Sequence, residues 1–257
     1  MRDEMTANQF IAEKASNEKL PKELKAPGIR ASVGWIILFM VAQLAGVTIA
    51  IFGDNILSGT FGVPGDVSSM DPVVIMFGIL LGAVPIIALR AKYLCSMLSY
   101  TKDNKMLVTA GLSILVILGG GWIFQNYLIP GQEMQPEVRL FLVAMQSGTV
   151  GIIMTYLTAA VAAPVLEEIL FRGQLQGAIH NKLSAKAVNN APIYAILITS
   201  ALFALVHLQP LAMPLLFLTG IVMGWIRYKT GSLVIPIVIH VMINTISVTM
   251  MLLTGEI

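Results

Sequence analysis

Residues 148–179, GTVGIIMTYLTAAVAAPVLEEILFRGQLQGAI, form the stretch that decides the fold of this chain. The stretch is long and apolar enough for a membrane-spanning helix, yet it contains Glu167, Glu168 and Arg172. Each such charge costs roughly 2.5–3.5 kcal/mol at the centre of a spanning helix, so charges that are kept there indicate function. We expect the helix to continue to about Ile179, because a helix ending at Arg172 would leave Glu167 near the surface.

The composition of the whole chain points to the membrane. Of the 257 residues, 56% are hydrophobic and only 12% are charged, and the mean hydropathy is +0.82. Soluble domains carry about 25% charged residues. These values predict an integral membrane protein with an all-α fold and the lipid bilayer as its surroundings. The net charge of +2 gives no indication of nucleic-acid binding.

Apolar segments of helical length predict a polytopic bundle of seven spans. The predicted spans are 33–52, 72–89, 106–124, a fourth starting near Gly148, 193–207, 211–226 and 233–253. An eighth, short or re-entrant element between Gln174 and Pro192 is left open. Residues 1–30 are predicted to be a cytoplasmic tail and 31–257 a single membrane domain, with its catalytic core at 148–250.

The basic residues predict the orientation of the bundle. If the N-terminus is cytoplasmic, fifteen of the sixteen lysines and arginines fall on the cytoplasmic side, and only Arg139 falls outside. This asymmetry matches the excess of Lys and Arg in cytoplasmic loops of membrane proteins. We therefore predict a cytoplasmic N-terminus and a multi-pass protein of the cell membrane. The short, compact chain favours a bacterial inner membrane.

A small set of polar side chains lies inside the predicted spans, and each is a functional candidate. The set consists of Glu167, Glu168, Arg172, His207, His240 and Asn244. Four-residue spacing puts Glu168 and Arg172 on one helix face, where they can pair. Glu167 points about 100° away and is available for chemistry. The same spacing relates His240 to Asn244, and the supporting residue Phe203 to His207.

Depth in the membrane decides whether these groups can meet. From the predicted cytoplasmic ends of their helices, Glu167 lies about 18 Å in, His207 about 21 Å, His240 about 11 Å and Asn244 about 17 Å, at 1.5 Å per residue. All four positions fall within the middle of a hydrocarbon core about 30 Å thick. We expect the four groups to converge in one cavity.

Two kinds of chemistry fit a carboxylate, two imidazoles and a carboxamide in one cavity. Without a metal, the carboxylate takes a proton from water while an imidazole orients the water or protonates the leaving amine. An imidazole and an amide N–H can stabilise the oxyanion. Alternatively, Glu167, His207 and His240 could hold a divalent metal such as zinc. The chain lacks the HExxH pattern of the common zinc proteases, and the residues leave both routes open.

Three motifs, in this order on three separate apolar segments, resemble those of a known family. They are Glu167-Glu168-x-x-x-Arg172, Phe203-x-x-x-His207 and His240-x-x-x-Asn244. The pattern resembles the CPBP family, which comprises the type II CAAX prenyl proteases and the bacteriocin-processing and immunity (Abi) proteins. The resemblance covers roughly 148–244 and implies an all-helical intramembrane endopeptidase.

The resemblance also implies a role for each motif residue. Glu167 would activate water with His207 as its partner, and His240 with Asn244 would stabilise the oxyanion. Glu168 and Arg172 would be supporting residues. The substrate would be a peptide or protein, such as a prenylated C-terminus, a leader peptide or a propeptide. Neither the substrate nor the oligomeric state follows from the sequence.

Other interpretations of the same residues compete with a protease. The two glutamates and Arg172 could be an ion-pair cluster that holds helices together. The chain could be a non-catalytic immunity or regulatory protein on the same scaffold. A proton-coupled transporter could use Glu167 and the histidines as a relay, but transporters of this kind are often built from internal repeats, and the sequence has no detectable repeat.

Overall fold

The computed structural model describes residues 27–58, 71–97, 104–124, 127 and 136–255. This part of the chain is helical and contains no strand, which confirms the predicted all-α fold. Within it lie eight helices, α1 (Ile29–Ser58), α2 (Pro72–Met97), α3 (Asn104–Ile123), α4 (Pro136–Gln146), α5 (Thr149–Ala185), α6 (Ala191–Val206), α7 (Met213–Thr230) and α8 (Val234–Thr254). The predicted cytoplasmic tail, up to residue 26, lies outside the described residues.

The seven predicted spans all correspond to helices, namely α1–α3 and α5–α8. By length and composition, four helices of the described part can cross a membrane, α1, α2, α5 and α8. Shorter apolar stretches occupy α3 (Gly111–Ile123) and α6 (Ala191–Val206). The chain is therefore a helical membrane protein.

The helical element that the sequence left open between Gln174 and Pro192 is the α-helical stretch Gln176–Ala185. It continues α5 without a break and is followed by a short turn into α6. The additional helix is α4, which lies in the segment interpreted as an outer loop. Its apolar residues Phe141, Leu142 and Met145 pack with residues of α5 and α8.

Helix α5 runs through the centre of the bundle. All residues from 168 to 179 are buried, so its charges are surrounded by protein and not by lipid. Two π-helical stretches, Tyr156–Ala162 and Glu168–Leu175, flank a short α-helical turn, Ala163–Glu167. Pro164 lies in this turn, where it has no N–H to donate to the preceding turn. Such π-helical stretches are frequent at functional sites.

The outer helices carry the lipid-facing surface. Large apolar side chains are exposed along α1, α2 and α3, among them Leu44, Leu89 and Leu115, each more than 60% exposed. Soluble monomers rarely expose continuous apolar areas of this kind. The exposed surface therefore agrees with the membrane location that the composition predicts.

Several helix ends that the charge pattern predicts to be cytoplasmic lie together. Trp35, near the start of α1, lies 4.6 Å from the guanidinium carbon of Arg90 in α2. Near the end of α5, the His180 ring is 6.3 Å from Tyr228 in α7. Arg172, which the charge pattern counts among the cytoplasmic basic residues, is only 1% exposed within α5, so it lies inside the bundle and not in a loop. The cytoplasmic N-terminus itself stays a prediction.

Candidate active site

The antiparallel arrangement of α5 and α6 brings Glu167 next to His207. Glu167 lies about 18 residues before the end of α5 and His207 about 16 residues after the start of α6, so both reach a similar level at 1.5 Å per residue. The Nε2 atom of His207 is 4.0 Å from Oε2 of Glu167. His207 directly follows the last residue of α6, and Leu208 after it adopts a left-handed conformation (φ 54°).

The backbone of α6 fixes the orientation of the His207 ring. Its Nδ1 atom is 2.6 Å from the carbonyl oxygen of Phe203, one turn earlier. Because a carbonyl only accepts hydrogen bonds, Nδ1 must carry the hydrogen. In the neutral ring, Nε2 then has a free lone pair, and this atom faces Glu167.

Glu168 holds the second imidazole. Its Oε1 atom accepts hydrogen bonds from Arg172 Nη1 and from His240 Nδ1, each at 2.9 Å. The predicted pairing of Glu168 with Arg172 is therefore confirmed, and the side chains of this pair are almost completely buried. Since Nδ1 of His240 donates to Glu168, its Nε2 is the atom that faces Glu167 Oε2, at 3.8 Å. The two adjacent glutamates thus approach opposite nitrogens of one ring.

Phe203 packs at the centre of these groups. Its ring is in edge-on contact with His207, with ring centroids 4.7 Å apart, and lies 6.2 Å from the ring of His240. The guanidinium carbon of Arg172 lies 4.2 Å from its centroid, a cation–π distance. Phe203 therefore contacts one residue from each of the three motifs and restrains their rotamers.

Asn244 lies one turn beyond His240 but does not share its partner Glu168. Its Nδ2 atom donates to the backbone carbonyl of Ala159 in α5, at 2.9 Å. The described structure therefore brings six of the seven predicted residues together and ties Asn244 to the neighbouring turn of α5. A carboxamide nitrogen carries two hydrogens, so one hydrogen of Asn244 is left for a ligand.

Burial separates the two glutamates. The side chain of Glu167 is 19% exposed and that of His207 is 23% exposed, whereas Glu168 is completely enclosed. A substrate and a water molecule can therefore reach Glu167 and His207 directly. Glu168 and Arg172 contact the reacting groups only through His240 and Phe203.

The three candidate metal ligands lie slightly further apart than the ligands of an ideal tetrahedral zinc site. Within the described residues, no group of three His, Cys, Asp or Glu side chains is arranged to hold a metal. Ligands bound at 2.0–2.1 Å to a tetrahedral zinc lie about 3.4 Å apart. Both imidazole nitrogens lie further than that from Glu167 Oε2.

Sequence reasoning missed two features of this region. The carbonyl of Ala159 orients Asn244, and no side-chain pattern reveals a backbone partner. Gln176, which is 2% exposed, donates from Nε2 to the carbonyl of Gly224 in α7, at 2.9 Å. An amide side chain inside a predicted membrane helix was the signal that could have identified Gln176.

Comparison with known proteins supports the family resemblance. Residues 149–246 match the family model described as type II CAAX prenyl endopeptidase Rce1-like. This segment contains α5, α6, α7 and most of α8, and therefore all three motifs. No solved structure shows a significant match to the chain.

Two curated bacterial proteins are similar over longer segments. The Bacillus subtilis (strain 168) protein named "Putative membrane peptidase YdiL" is 28% identical over 160 residues, which is 59% of this chain and 62% of that protein. The Staphylococcus aureus (strain USA300) protein named "Membrane-embedded CAAX protease MroQ" is 27% identical over 126 residues, 49% of each chain. The chain thus spans about half to three fifths of the length of these relatives.

The matches define how far the resemblance extends. The names of the matched family and relatives mention CAAX proteases and a membrane peptidase. The resemblance to the bacteriocin-processing and immunity proteins therefore stays a prediction. The resemblance read from the three motifs is confirmed for the core of the chain, which matches the Rce1-like family of type II CAAX prenyl endopeptidases and thereby supports a membrane protease.

Proposed function

We propose that this chain is an intramembrane endopeptidase in which Glu167 activates the attacking water. The proposal depends on one observation, that the Nε2 atoms of His240 and His207 face the same carboxylate oxygen of Glu167, at 3.8 and 4.0 Å. Direct N–H···O hydrogen bonds are about 2.7–3.2 Å long, so both gaps are too wide for one. A water molecule lying to one side of these gaps can contact the carboxylate and an imidazole together.

The hydrogen positions favour water in this space. With Nδ1 of His207 committed as a donor, the neutral His207 ring and Glu167 both present acceptors. Water can donate both of its hydrogens to such groups and keep its lone pairs for a carbonyl carbon. This polarity is the one that general-base catalysis requires.

The proposed reaction is hydrolysis of one peptide bond. Glu167 takes a proton from water, and the water oxygen bonds to the carbonyl carbon. The proton then passes to the leaving nitrogen, from Glu167 or through His207, and the C–N bond breaks. One water is consumed, and a carboxylate and an amine are formed.

His240 and Asn244 are proposed to stabilise the oxyanion. His240 can donate from Nε2 only when its ring carries both protons, with Nδ1 donating to Glu168. Asn244 can donate its second amide hydrogen. Each donor of this kind is worth about 3–4 kcal/mol in known oxyanion holes. The route assigned to these residues needs no metal, in line with their spacing.

We further propose a prenylated C-terminal peptide as the first substrate class to test. The name of MroQ describes a CAAX protease, and the matched family is that of type II CAAX prenyl endopeptidases. Both relatives are bacterial, which supports a bacterial cell membrane as the location. The cytoplasmic N-terminus is proposed on the distribution of basic residues.

The decisive experiment compares the wild-type protein with Glu167→Gln in lipid nanodiscs. The substrates are a quenched fluorescent peptide ending in a prenylated cysteine and three residues, and the same peptide without the prenyl group. We expect the variant to lose roughly 10²–10⁴-fold in cleavage rate, the usual contribution of a general base. Its thermal unfolding should be unchanged. Cleavage in ¹⁸O-water should place one ¹⁸O in the new carboxylate.

Three results would contradict this function. Full activity of Glu167→Gln would exclude Glu167 as the base. Absence of cleavage of any prenylated, leader or propeptide substrate by the wild-type protein would favour the non-catalytic scaffold. Activity that is lost with a chelator and restored by zinc would replace the metal-independent route with the metal route.

A further inference from the structure

A cavity lies where the start of α1 meets the end of α5. Its volume is about 430 Å³, and it is lined by residues 27–30 at the start of α1 and by Ala178, Asn181 and Lys182 of α5. This volume falls within the range of roughly 300–1,000 Å³ that is typical of ligand pockets. Lys182 follows Glu167 by 15 residues, or about 22 Å along the helix, so the cavity is separate from the candidate active site. We refer to it as the α1–α5 cavity.

The α1–α5 cavity is positively charged. Arg30 and Lys182 line it, and no acidic residue does. Neither cation forms an ion pair with a residue in the part of the chain that the structure describes. The first N–H groups of α1 have no partner within the helix and add partial positive charge. Arginine side chains and helix N-termini both bind phosphate groups, so the cavity suits a phosphate.

Aromatic residues place this cavity at the depth of lipid headgroups. Trp35 follows Arg30 by five residues in α1. On the other side, Tyr228 of α7 lies 6.3 Å from the ring of His180, which precedes Lys182 by two residues in α5. Trp and Tyr are enriched at membrane–water interfaces, at the level of the headgroups. A ligand of the cavity would therefore lie where the bilayer carries its phosphates.

Exposed apolar side chains continue from Arg30 along one face of α1. Val33, Ile37, Val41 and Leu44 are between 39% and 70% exposed. Residues three or four apart share a helix face, so these four form a stripe that extends about 21 Å from Arg30. A molecule with an anionic head and apolar chains matches this arrangement, with its head in the cavity and its chains on the stripe. A free phosphate has no part that would contact the stripe.

We propose that the α1–α5 cavity binds the phosphate headgroup of an anionic phospholipid. The phosphate lies between Arg30 and Lys182, and the acyl chains lie along the apolar stripe of α1. Basic pockets between membrane helices on the cytoplasmic side bind anionic lipid headgroups, and the charge pattern predicts that this end of α1 is cytoplasmic. The inference is independent of the proposed function, because no residue of the candidate active site takes part.

A lipid in this position connects two helices that also pack directly. Ile29 and Ile36 of α1 pack against the buried cluster that includes Leu175 and Ile179 of α5. The lipid adds a polar connection between the same two helices at the membrane surface. A ligand that binds only the folded protein stabilises it. Bound anionic lipid should therefore raise the melting temperature.

A matched pair of lysine variants tests the site by thermal unfolding. The full-length protein in micelles of a neutral detergent is titrated with phosphatidylglycerol or with phosphatidylcholine of the same acyl chains. Phosphatidylglycerol at about 100-fold above its Kd should raise the wild-type Tm by roughly 5–10 °C, and phosphatidylcholine should not. Lys182→Gln should lose most of this shift, and Lys182→Arg should keep it. Lys186→Gln removes the same charge at an exposed residue that does not line the cavity, and should also keep it.

Two further arms identify the ligand. Native mass spectrometry should show one bound phosphatidylglycerol on the wild-type protein that is absent from both Arg30→Gln and Lys182→Gln. Soluble glycerol phosphate, added to the protein in phosphatidylcholine micelles, should leave Tm unchanged. A shift with glycerol phosphate alone would assign the cavity to a free phosphate and overturn the lipid proposal.

Two other results would also overturn it. Equal loss of the shift in Lys182→Gln and Lys186→Gln would mean that anionic lipid is attracted to the basic surface in general. Equal wild-type Tm values in both lipids would mean that the cavity takes no anionic lipid. None of these arms measures cleavage, so a protein that hydrolyses no peptide can still show the lipid site, and an active protease can fail every arm.

Discussion

Helices α1 and α2 are held together differently from α5 and α8. In the first pair the backbones touch, because a Cβ atom at Gly82 would lie 2.2 Å from the carbonyl oxygen of Ala42, and one at Gly46 would lie 2.2 Å from that of Gly78. Small residues permit this approach, which replaces the hydrophobic driving force that is missing between helices in lipid.

The second pair is joined by polar side chains at three levels. His240 donates to Glu168 at 2.9 Å, and Asn244 donates to the carbonyl of Ala159 at 2.9 Å. At the third level, the hydroxyl of Tyr156 lies 2.7 Å from that of Thr249. Two of these three contacts involve residues of the catalytic motifs.

The difference has a functional consequence. Close backbone packing in α1 and α2 supports the fold without any group that takes part in chemistry. In α5 and α8 the same hydrogen bonds join the helices and orient the imidazole and the carboxamide. Stability and activity should therefore be separable in the first pair, and coupled in the second pair at the levels of His240 and Asn244.

The largest effect is expected for Glu168→Gln. The change removes the negative charge beside Arg172 and His240 and leaves a buried guanidinium uncompensated. Breaking a buried ion pair in this way costs about 3–5 kcal/mol of unfolding free energy. Activity should fall in the fraction that still folds, because His240 loses its carboxylate partner. Chemical unfolding in mixed micelles and the cleavage rate per folded molecule measure the two effects.

A double variant separates two effects of Glu168, its neutralisation of the buried Arg172 charge and its orientation of the His240 ring. Glu168→Gln with Arg172→Met removes both charges of this buried pair, and replacement of both partners of a buried pair is often close to neutral for stability. We expect most of the stability to return while activity stays low. If activity returned together with stability, Glu168 would serve only to neutralise Arg172.

The next largest effect is a loss of stability in the α1–α2 pair, which Gly82→Ala tests. The new Cβ would overlap the backbone of Ala42, so α1 and α2 must move apart. Overpacking of this kind typically costs about 1–3 kcal/mol. We expect lower thermal stability but an unchanged cleavage rate per folded molecule, because no catalytic group lies in this pair.

Gly34→Ala is the matched control for the scaffold. Gly34 lies in α1, and a Cβ atom there would have no heavy atom within 4 Å. Replacing a glycine in a helix interior by alanine stabilises by roughly 0.5–1 kcal/mol. A loss of activity per folded molecule in Gly82→Ala, with Gly34→Ala unaffected, would show that the scaffold pair is coupled to the site.

The parts of the site that depend on local spacing could be predicted from the sequence. The four-residue offset predicted the pairing of Glu168 with Arg172 and the contact of Phe203 with His207. Extension of the fourth helix beyond Arg172 was also predictable, since otherwise Glu167 could not approach His207. The two pairings need only the geometry of a single helix, and the extension needs only a comparison of two helix lengths.

The remaining features depend on contacts between helices or on irregular backbone. An ideal rotation of 100° predicted that Glu167 would be separated from the Glu168 pair. In the structure, π-helical residues follow Glu167 directly, and both glutamates approach His240. Helix α4 was missed because Arg139 and its polar neighbours lower the hydropathy of a segment whose other face is apolar.

The smallest effect is expected for Tyr156→Phe, at the level of the second pair that lies furthest from the chemistry. The hydroxyl of Thr249 donates to the carbonyl of Thr245 at 2.7 Å, so Tyr156 must be the donor in its bond to Thr249. Removal of the Tyr156 hydroxyl leaves the hydrogen bond from Thr249 to the carbonyl of Thr245 in place. Interhelical hydrogen bonds in membrane proteins average about 0.6 kcal/mol, and we expect a loss of that size with kcat unchanged.

Tyr194→Phe makes the same chemical change in α6, at a residue that is 49% exposed. This variant should change neither the free energy of unfolding nor kcat. Unfolding free energies of the two variants, measured side by side, give the contribution of the Tyr156 bond alone. A large fall in kcat for Tyr156→Phe would mean that all three levels of the α5–α8 contact act as one unit. Coupling of stability to activity would then extend along the whole pair instead of stopping at the residues around His240.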